Sequence, residues 1–191
     1  MNSLKWTQTE KNLLKSFAWE SQARMRYDYF SSQAKKDWLV QISNIFAETA
    51  LNEKEHAKKF FKYLEWWMVE ITSSYPAWKI WTTLENLKEA AKWENEEWAE
   101  LYPKFAEIAR EEWFEEVANT FEKIALVEKA HETRYLKLYN NLKNGLVFER
   151  DWVLTWKCNN CWYLHEWKSA PEECPACTHP QAHFEIFIET Y

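Results

Sequence analysis

Glycine is almost missing from this chain: there is 1 among 191 residues, where ordinary usage of about 7% predicts roughly 13. Tryptophan, at 14, is in excess by nearly the same amount. Cysteine is absent outside two Cys-x-x-Cys pairs, Cys158–Cys161 and Cys174–Cys177. No scattered thiols remain for a disulfide framework, which predicts a reducing, cytoplasmic setting and a metal. No apolar run approaches the roughly 18 residues that span a bilayer. The polar start MNSLKWTQTEK lacks the apolar core of a signal peptide, so no membrane role is expected. Positive charge is also short, and a formal net charge of -6 argues against nucleic acid or an anionic membrane as partner.

What is present is helical periodicity. Residues 9–36 repeat Leu13, Phe17, Glu20, Ala23, Tyr27 and Phe30 at three- and four-residue steps, and residues 39–65 do so through Ile42, Ile45, Phe46, Thr49, Glu53, His56 and Phe60. Ser73, Ser74 and Pro76 then interrupt the pattern. A third helix is predicted over 78–110, kinked at Pro103, and a fourth over 113–143, with Gly145 where a C-cap favours glycine. The fold class is therefore mainly α: a four-helix bundle over residues 1–146. From 147 to 191 short alternating segments surround the cysteines and predict a small β/knuckle metal domain.

The informative residues are acids that share the apolar stripes. Glu20, Glu53, Glu94, Glu97 and Glu128 all follow the hydrophobic register of their helices. Burying an unpaired carboxylate costs several kcal/mol, so five on one core need a shared counter-charge. Two Glu-x-x-His pairs, Glu53–His56 and Glu128–His131, each put both side chains on one helical face. One such pair in a chain rich in Glu and Lys is weak, because a solvated face explains it equally well. Two pairs plus solitary acids on the other two helices match the ligand set of ferritin-like dinuclear sites, suited to two iron or manganese ions. Glu111, Glu112, Glu115 and Glu116 read as surface charge. Tyr27 and Tyr102 read either as core aromatics or as hydrogen-bond donors to the ligand carboxylates.

Four thiolates at this spacing favour tetrahedral iron or zinc. Spacing alone fits a structural zinc ribbon as well as iron. A redox-active dinuclear site on the same chain favours iron, because such a site needs an electron donor. His165, His179 and His183 read as surface residues, since four cysteines already close the site.

The stretches FAWESQARMRY (17–27), IFAETALNEKEHAK (45–58), ENEEWAELYP (94–103), IAREEWFEEVA (108–118) and EKAHE (128–132), with CNNCWY and APEECPACTHPQAHFE behind them, resemble the rubrerythrin family over nearly the whole length. The resemblance implies a ferritin-like di-iron bundle joined to a rubredoxin-like domain, acting as a cytoplasmic peroxidase on hydrogen peroxide. It implies two non-haem iron ions held by Glu20, Glu53, Glu94, Glu97, Glu128 and His131, with His56 exchanging with Glu97 between redox states. A further iron is implied on Cys158, Cys161, Cys174 and Cys177. His56, Glu97, Tyr27 and Tyr102 are the candidate catalytic residues. Electrons are expected from an NAD(P)H-dependent reductase or rubredoxin, and the chain is expected to form a homodimer. The alternatives are an iron-oxidising or storage protein of ferritin type and a non-catalytic zinc-ribbon protein.

The departure from that family is the tryptophan. The resemblance implies glycine where this chain has Trp6, Trp19, Trp38, Trp66, Trp67, Trp78, Trp93, Trp113, Trp162 and Trp167, and Trp81 and Trp152 are read with them. Trp98 and Trp156 read as genuine. Transferring those twelve to glycine restores ordinary usage of both residues. In a Cys-x-x-Cys knuckle the residue after the second cysteine usually turns through positive φ, which suits glycine and not Trp162. The sequence thus predicts UGA codons written as tryptophan but read as glycine, with deliberate glycine-to-tryptophan design as the alternative.

Overall fold

The computed structural model describes residues 3–65, 68–77 and 79–190. Trp66, Trp67 and Trp78 lie outside the described residues. Helix α1 (Gln8–Lys36) starts at Thr7, whose hydroxyl accepts the Glu10 amide at 3.0 Å. Glu112, expected to be surface charge, instead accepts the amides of Gln8 and Thr9 at 3.0 and 2.8 Å, so it closes this N-terminus from another helix. Helix α2 (Val40–Phe61) ends four residues before the expected limit of 65. Helix α3 (Thr83–Glu96) begins later than 78, because Thr82 and Glu85 form a capping box there.

The expected kink at Pro103 takes another form. A π turn, Glu97–Leu101, follows α3, and α4 (Tyr102–Glu111) continues from it with Pro103 in its first turn. Proline has no amide to donate, and a first-turn position asks for none. Helix α5 (Glu115–Lys143) completes the bundle, in which α3, the π turn and α4 together make the third long helix.

Two apolar blocks fill the bundle. One contains Leu13, Phe60, Phe105, Phe121 and Ile124; the other contains Phe30, Ile42, Phe46, Leu87 and Leu138. Along every long helix the chain passes from one block to the other, and the five in-register acids fall at the crossing. Glu20 lies between Leu13 and Tyr27, Glu53 between Ala50 and Phe60, Glu94 between Ala91 and Tyr102, and Glu128 between Ala125 and Tyr135. All four, with Glu97, are at most 1% exposed. The polar layer therefore sits where the apolar layers meet.

The C-terminal part is an antiparallel sheet ordered β2-β1-β3, from β1 (Glu149–Cys158), β2 (Leu164–Ser169) and β3 (Phe184–Ile186). Its core is Trp156, Cys158, Ala170, Cys174 and Phe184. Phe148 packs both on this core and on the bundle's second apolar block. Among the described residues no helix is long and apolar enough to cross a membrane.

Candidate metal centres

The two Glu-x-x-His pairs interlock. His56 Nδ1 lies 2.9 Å from Glu53 Oε2, 2.8 Å from Glu128 Oε1 and 3.8 Å from Glu20 Oε2. His131 Nδ1 lies 2.8 Å from Glu128 Oε2, 3.3 Å from Glu53 Oε1 and 3.8 Å from Glu94 Oε2. Two clusters result, Glu20/Glu53/His56/Glu128 and Glu53/Glu94/Glu128/His131, each with ligand atoms within 4.8 Å of one another. Glu53 and Glu128 belong to both, one oxygen to each side. Glu97 is buried beside them but outside both clusters.

The protein groups alone leave this layer poorly satisfied. Glu20 Oε2, Glu94 Oε2, both oxygens of Glu128 and His131 Nδ1 are buried without an aligned hydrogen bond, despite several close approaches. Lone pairs converging at short range but out of line suit cations placed between them better than hydrogen bonds. The titration pattern agrees. Burial, then the charge of Glu53, pushes Glu94 up to about 8. Burial also raises Glu20 and Glu97 well above the carboxylate range. Burial acts on Glu53 too, but the adjacent imidazoles of His131 and His56 outweigh it and bring Glu53 down to about 2. Burial opposes charge on His131, yet Glu128, Glu53 and Glu94 overcome it and push it up to about 12. The residues present fit a pair of cations.

Each solitary acid carries a tyrosine. Tyr27 donates to Glu94, and Tyr102 donates to Glu20 while lying 3.4 Å from Glu97 Oε1. Burial, then the adjacent carboxylates, raises both phenols well above their usual range, so they remain donors. The π turn explains how Tyr102 reaches Glu97. In an α-helix, residues five apart point about 140° apart, whereas the wider π winding brings them onto one side. Sequence periodicity gave no sign of that turn. Tyr135, on the apolar register of the fourth helix, is fully buried with its ring 5.6 Å from Tyr27.

In the ribbon, the sulfur atoms of Cys158 and Cys177 are 3.8 Å apart and those of Cys161 and Cys174 are 3.6 Å apart. These are not disulfide lengths. Ligands at about 2.3 Å around a tetrahedral metal stand roughly 3.8 Å from one another. The His179 amide draws Cys177 down to about 6. The Tyr163 amide favours the Cys161 thiolate as well, but the neighbouring thiols, Cys177 foremost, outweigh it and push Cys161 up to about 12. Four sulfurs this close cannot all ionise without a cation. His179 and His183 meet edge to face with ring centroids 4.7 Å apart, outside the four-sulfur cluster.

A four-helix bundle with a buried carboxylate–imidazole dinuclear site, followed by a four-cysteine ribbon, defines a ferritin-like metalloprotein carrying a rubredoxin-like module. The rubrerythrin family profile matches residues 11–139, and that of the rubrerythrin rubredoxin-like domain matches residues 156–185. The chain is 55% identical to a rubrerythrin of Clostridium perfringens, with all of both chains covered. It is 56% identical to a rubrerythrin of Porphyromonas gingivalis, over 99% of this chain and 94% of that one. A solved structure of nigerythrin in a partially reduced state superposes with a TM-score of 0.64 at 26% identity, covering 97% of this chain and 92% of that one. The chain belongs to the rubrerythrin family.

Proposed function

We propose that this protein is a non-haem peroxidase that reduces hydrogen peroxide to two water molecules, consuming two electrons and two protons. Electrons come from an NAD(P)H-dependent reductase or a rubredoxin by way of the four-cysteine site. The observation that carries this reading is the pair of sites on one chain, a dinuclear carboxylate cluster and a tetrathiolate. Iron at both would supply the electrons and the Lewis acidity that O–O cleavage requires.

The chain's own residues have definable tasks. Glu53 and Glu128 are the shared ligands, Glu20 and Glu94 the terminal ones, and His131 the imidazole ligand. Tyr27 and Tyr102 hold Glu94 and Glu20 in one orientation, and the flanking apolar blocks exclude bulk water. His56 and Glu97 are assigned to exchange with the redox state. In support, His56 stands within the Glu20/Glu53/Glu128 cluster, whereas Glu97 stands aside at Tyr102. Cys158, Cys161, Cys174 and Cys177 hold the electron-entry iron. The same reading divides the chain into a bundle of residues 1–146 and an electron-transfer domain of residues 147–191, working as a cytoplasmic homodimer.

The test is peroxide-dependent NADH oxidation by the iron-loaded protein with an added reductase. Cys158→Ser or Cys174→Ser should abolish that turnover. Turnover untouched by either change would favour an iron-oxidising or storage protein, whose chemistry needs no thiolate domain.

A further inference from the structure

Three helices of this protein end in the same way. At the end of α5, Gly145 N–H reaches Leu142 O at 3.3 Å and Leu146 N–H reaches Asn141 O at 2.8 Å. At the end of α1, Trp38 N–H reaches Lys35 O at 3.3 Å and Leu39 N–H reaches Ala34 O at 2.9 Å. At the end of α4, Trp113 N–H reaches Arg110 O at 3.0 Å and Phe114 N–H reaches Ala109 O at 2.7 Å. Each is a Schellman motif, whose C′ residue adopts the left-handed conformation and is usually glycine. The φ angles at Gly145, Trp38 and Trp113 are +71°, +59° and +67°. A β-carbon built on Gly145 meets nothing within 4 Å, so the backbone angle alone calls for glycine there. Two sister positions with the same angle carry the residue least like it.

The same signature recurs twice. Trp6 has φ +71° and is the third residue of a turn closed by Thr7 N–H on Leu4 O at 3.1 Å, where a type II turn requires glycine. Trp162 has φ +68° in the first cysteine knuckle. Four of the five left-handed non-glycine residues among those described are thus tryptophan. The fifth, Thr178 of the second knuckle, shows that a β-carbon is tolerated there, so Trp162 weighs less than the helix ends. Burial does not compensate: Trp6, Trp38, Trp113 and Trp162 are 82%, 65%, 84% and 56% exposed. Trp98 and Trp156 are opposite in every respect. Neither is left-handed, and their indole N–H groups donate to Glu132 Oε2 at 2.6 Å and to Trp167 O at 3.0 Å.

We infer that the protein made in its own cells has glycine at positions 6, 38, 113 and 162, encoded by UGA, and tryptophan at 98 and 156, encoded by UGG. A reading rule that converts one codon explains why the same residue type stands at each of these four left-handed positions. The same rule extends to Trp93, whose buried indole N–H has no hydrogen-bond partner among the described residues.

Peptide mass spectrometry of the protein isolated from its native cells decides the matter. Glycine at positions 6, 38, 113 and 162, with tryptophan at 98 and 156, is the expected result. Tryptophan at any of those four positions overturns the inference. The physical cause has its own test, in which a recombinant chain with Trp6→Gly, Trp38→Gly, Trp113→Gly and Trp162→Gly is compared with the chain as written. Its melting temperature should rise by roughly 5–10 °C. No rise would show that the left-handed angles do not select glycine here.

Discussion

Glu53 and Glu128 stand as a matched pair between His56 and His131: each turns one oxygen to each ring, at 2.8 to 3.3 Å. The two cation positions are thereby tied together, and neither can be lost without disturbing the other's ligands. Glu20 and Glu94 each serve one side. Glu128→Gln should therefore empty both positions, whereas Glu20→Gln should reduce bound metal from about two ions per chain to about one. Elemental analysis of the purified variants against protein concentration separates these outcomes. Equal losses from the two changes would refute the division into shared and terminal ligands.

The tyrosines are expected to act through the carboxylates they hold. Tyr102→Phe should keep its metal but lower peroxidase kcat by about 10–100-fold, the usual effect of losing a partner behind a metal ligand. Tyr27→Phe should have a smaller effect, because Tyr27 donates to Glu94 alone while Tyr102 also approaches Glu97. Steady-state kinetics with parallel metal analysis checks both halves of this expectation.

The pH response of the metal-free protein follows from the buried acids. Burial and Glu53 raise Glu94 from 4.5 to about 8. Its contribution to stability is complete below pH 4.5 and is lost steadily up to pH 8. His131, raised from 6.5 to about 12, loses its contribution over the higher range, in the same direction. Glu53, lowered to about 2, has its full contribution above pH 4.5. The metal-free protein should therefore be more stable at pH 5 than at pH 8, by on the order of several kcal/mol. Denaturant melts at the two pH values measure the difference, and a flat profile would mean that Glu94 is already ionised at pH 5. Metal uptake at pH 7 should release protons, seen by calorimetry as a heat that changes with buffer ionisation enthalpy.

Cysteine replacement should separate colour from dinuclear chemistry. Cys174→Ser in the iron-loaded protein should lose the visible absorption of an iron–tetrathiolate while keeping metal in the bundle. If the unaltered protein is colourless when iron-loaded and oxidised, the ribbon does not hold iron and the proposed electron route fails.

Much of this site was legible in the sequence because burial is periodic. Glu20, Glu53, Glu94 and Glu128 betrayed themselves by standing where a helix face should be apolar, and the three-residue spacing of the Glu-x-x-His pairs fixed their shared direction. Which acids are shared between the two positions was not legible, because it depends on carboxylate rotation across helices. Nor was the reach of Tyr102 to Glu97, since a π turn changes the angular step that periodicity assumes. Glu112 was read as surface charge for a related reason: its partners at the start of α1 are distant in sequence, and beside Glu111, Glu115 and Glu116 it resembles one more solvated acid.

Phe148 carries a last consequence. Its ring is shared by the bundle's second apolar block and the ribbon's core, and its carbonyl accepts the Ala170 amide at 2.9 Å. Closing the four-thiolate site and keeping the end of α5 from fraying are therefore linked equilibria. Any cation that tightens the ribbon should slow amide exchange in the last turns of α5, and stripping it should make that end of the bundle the first to open.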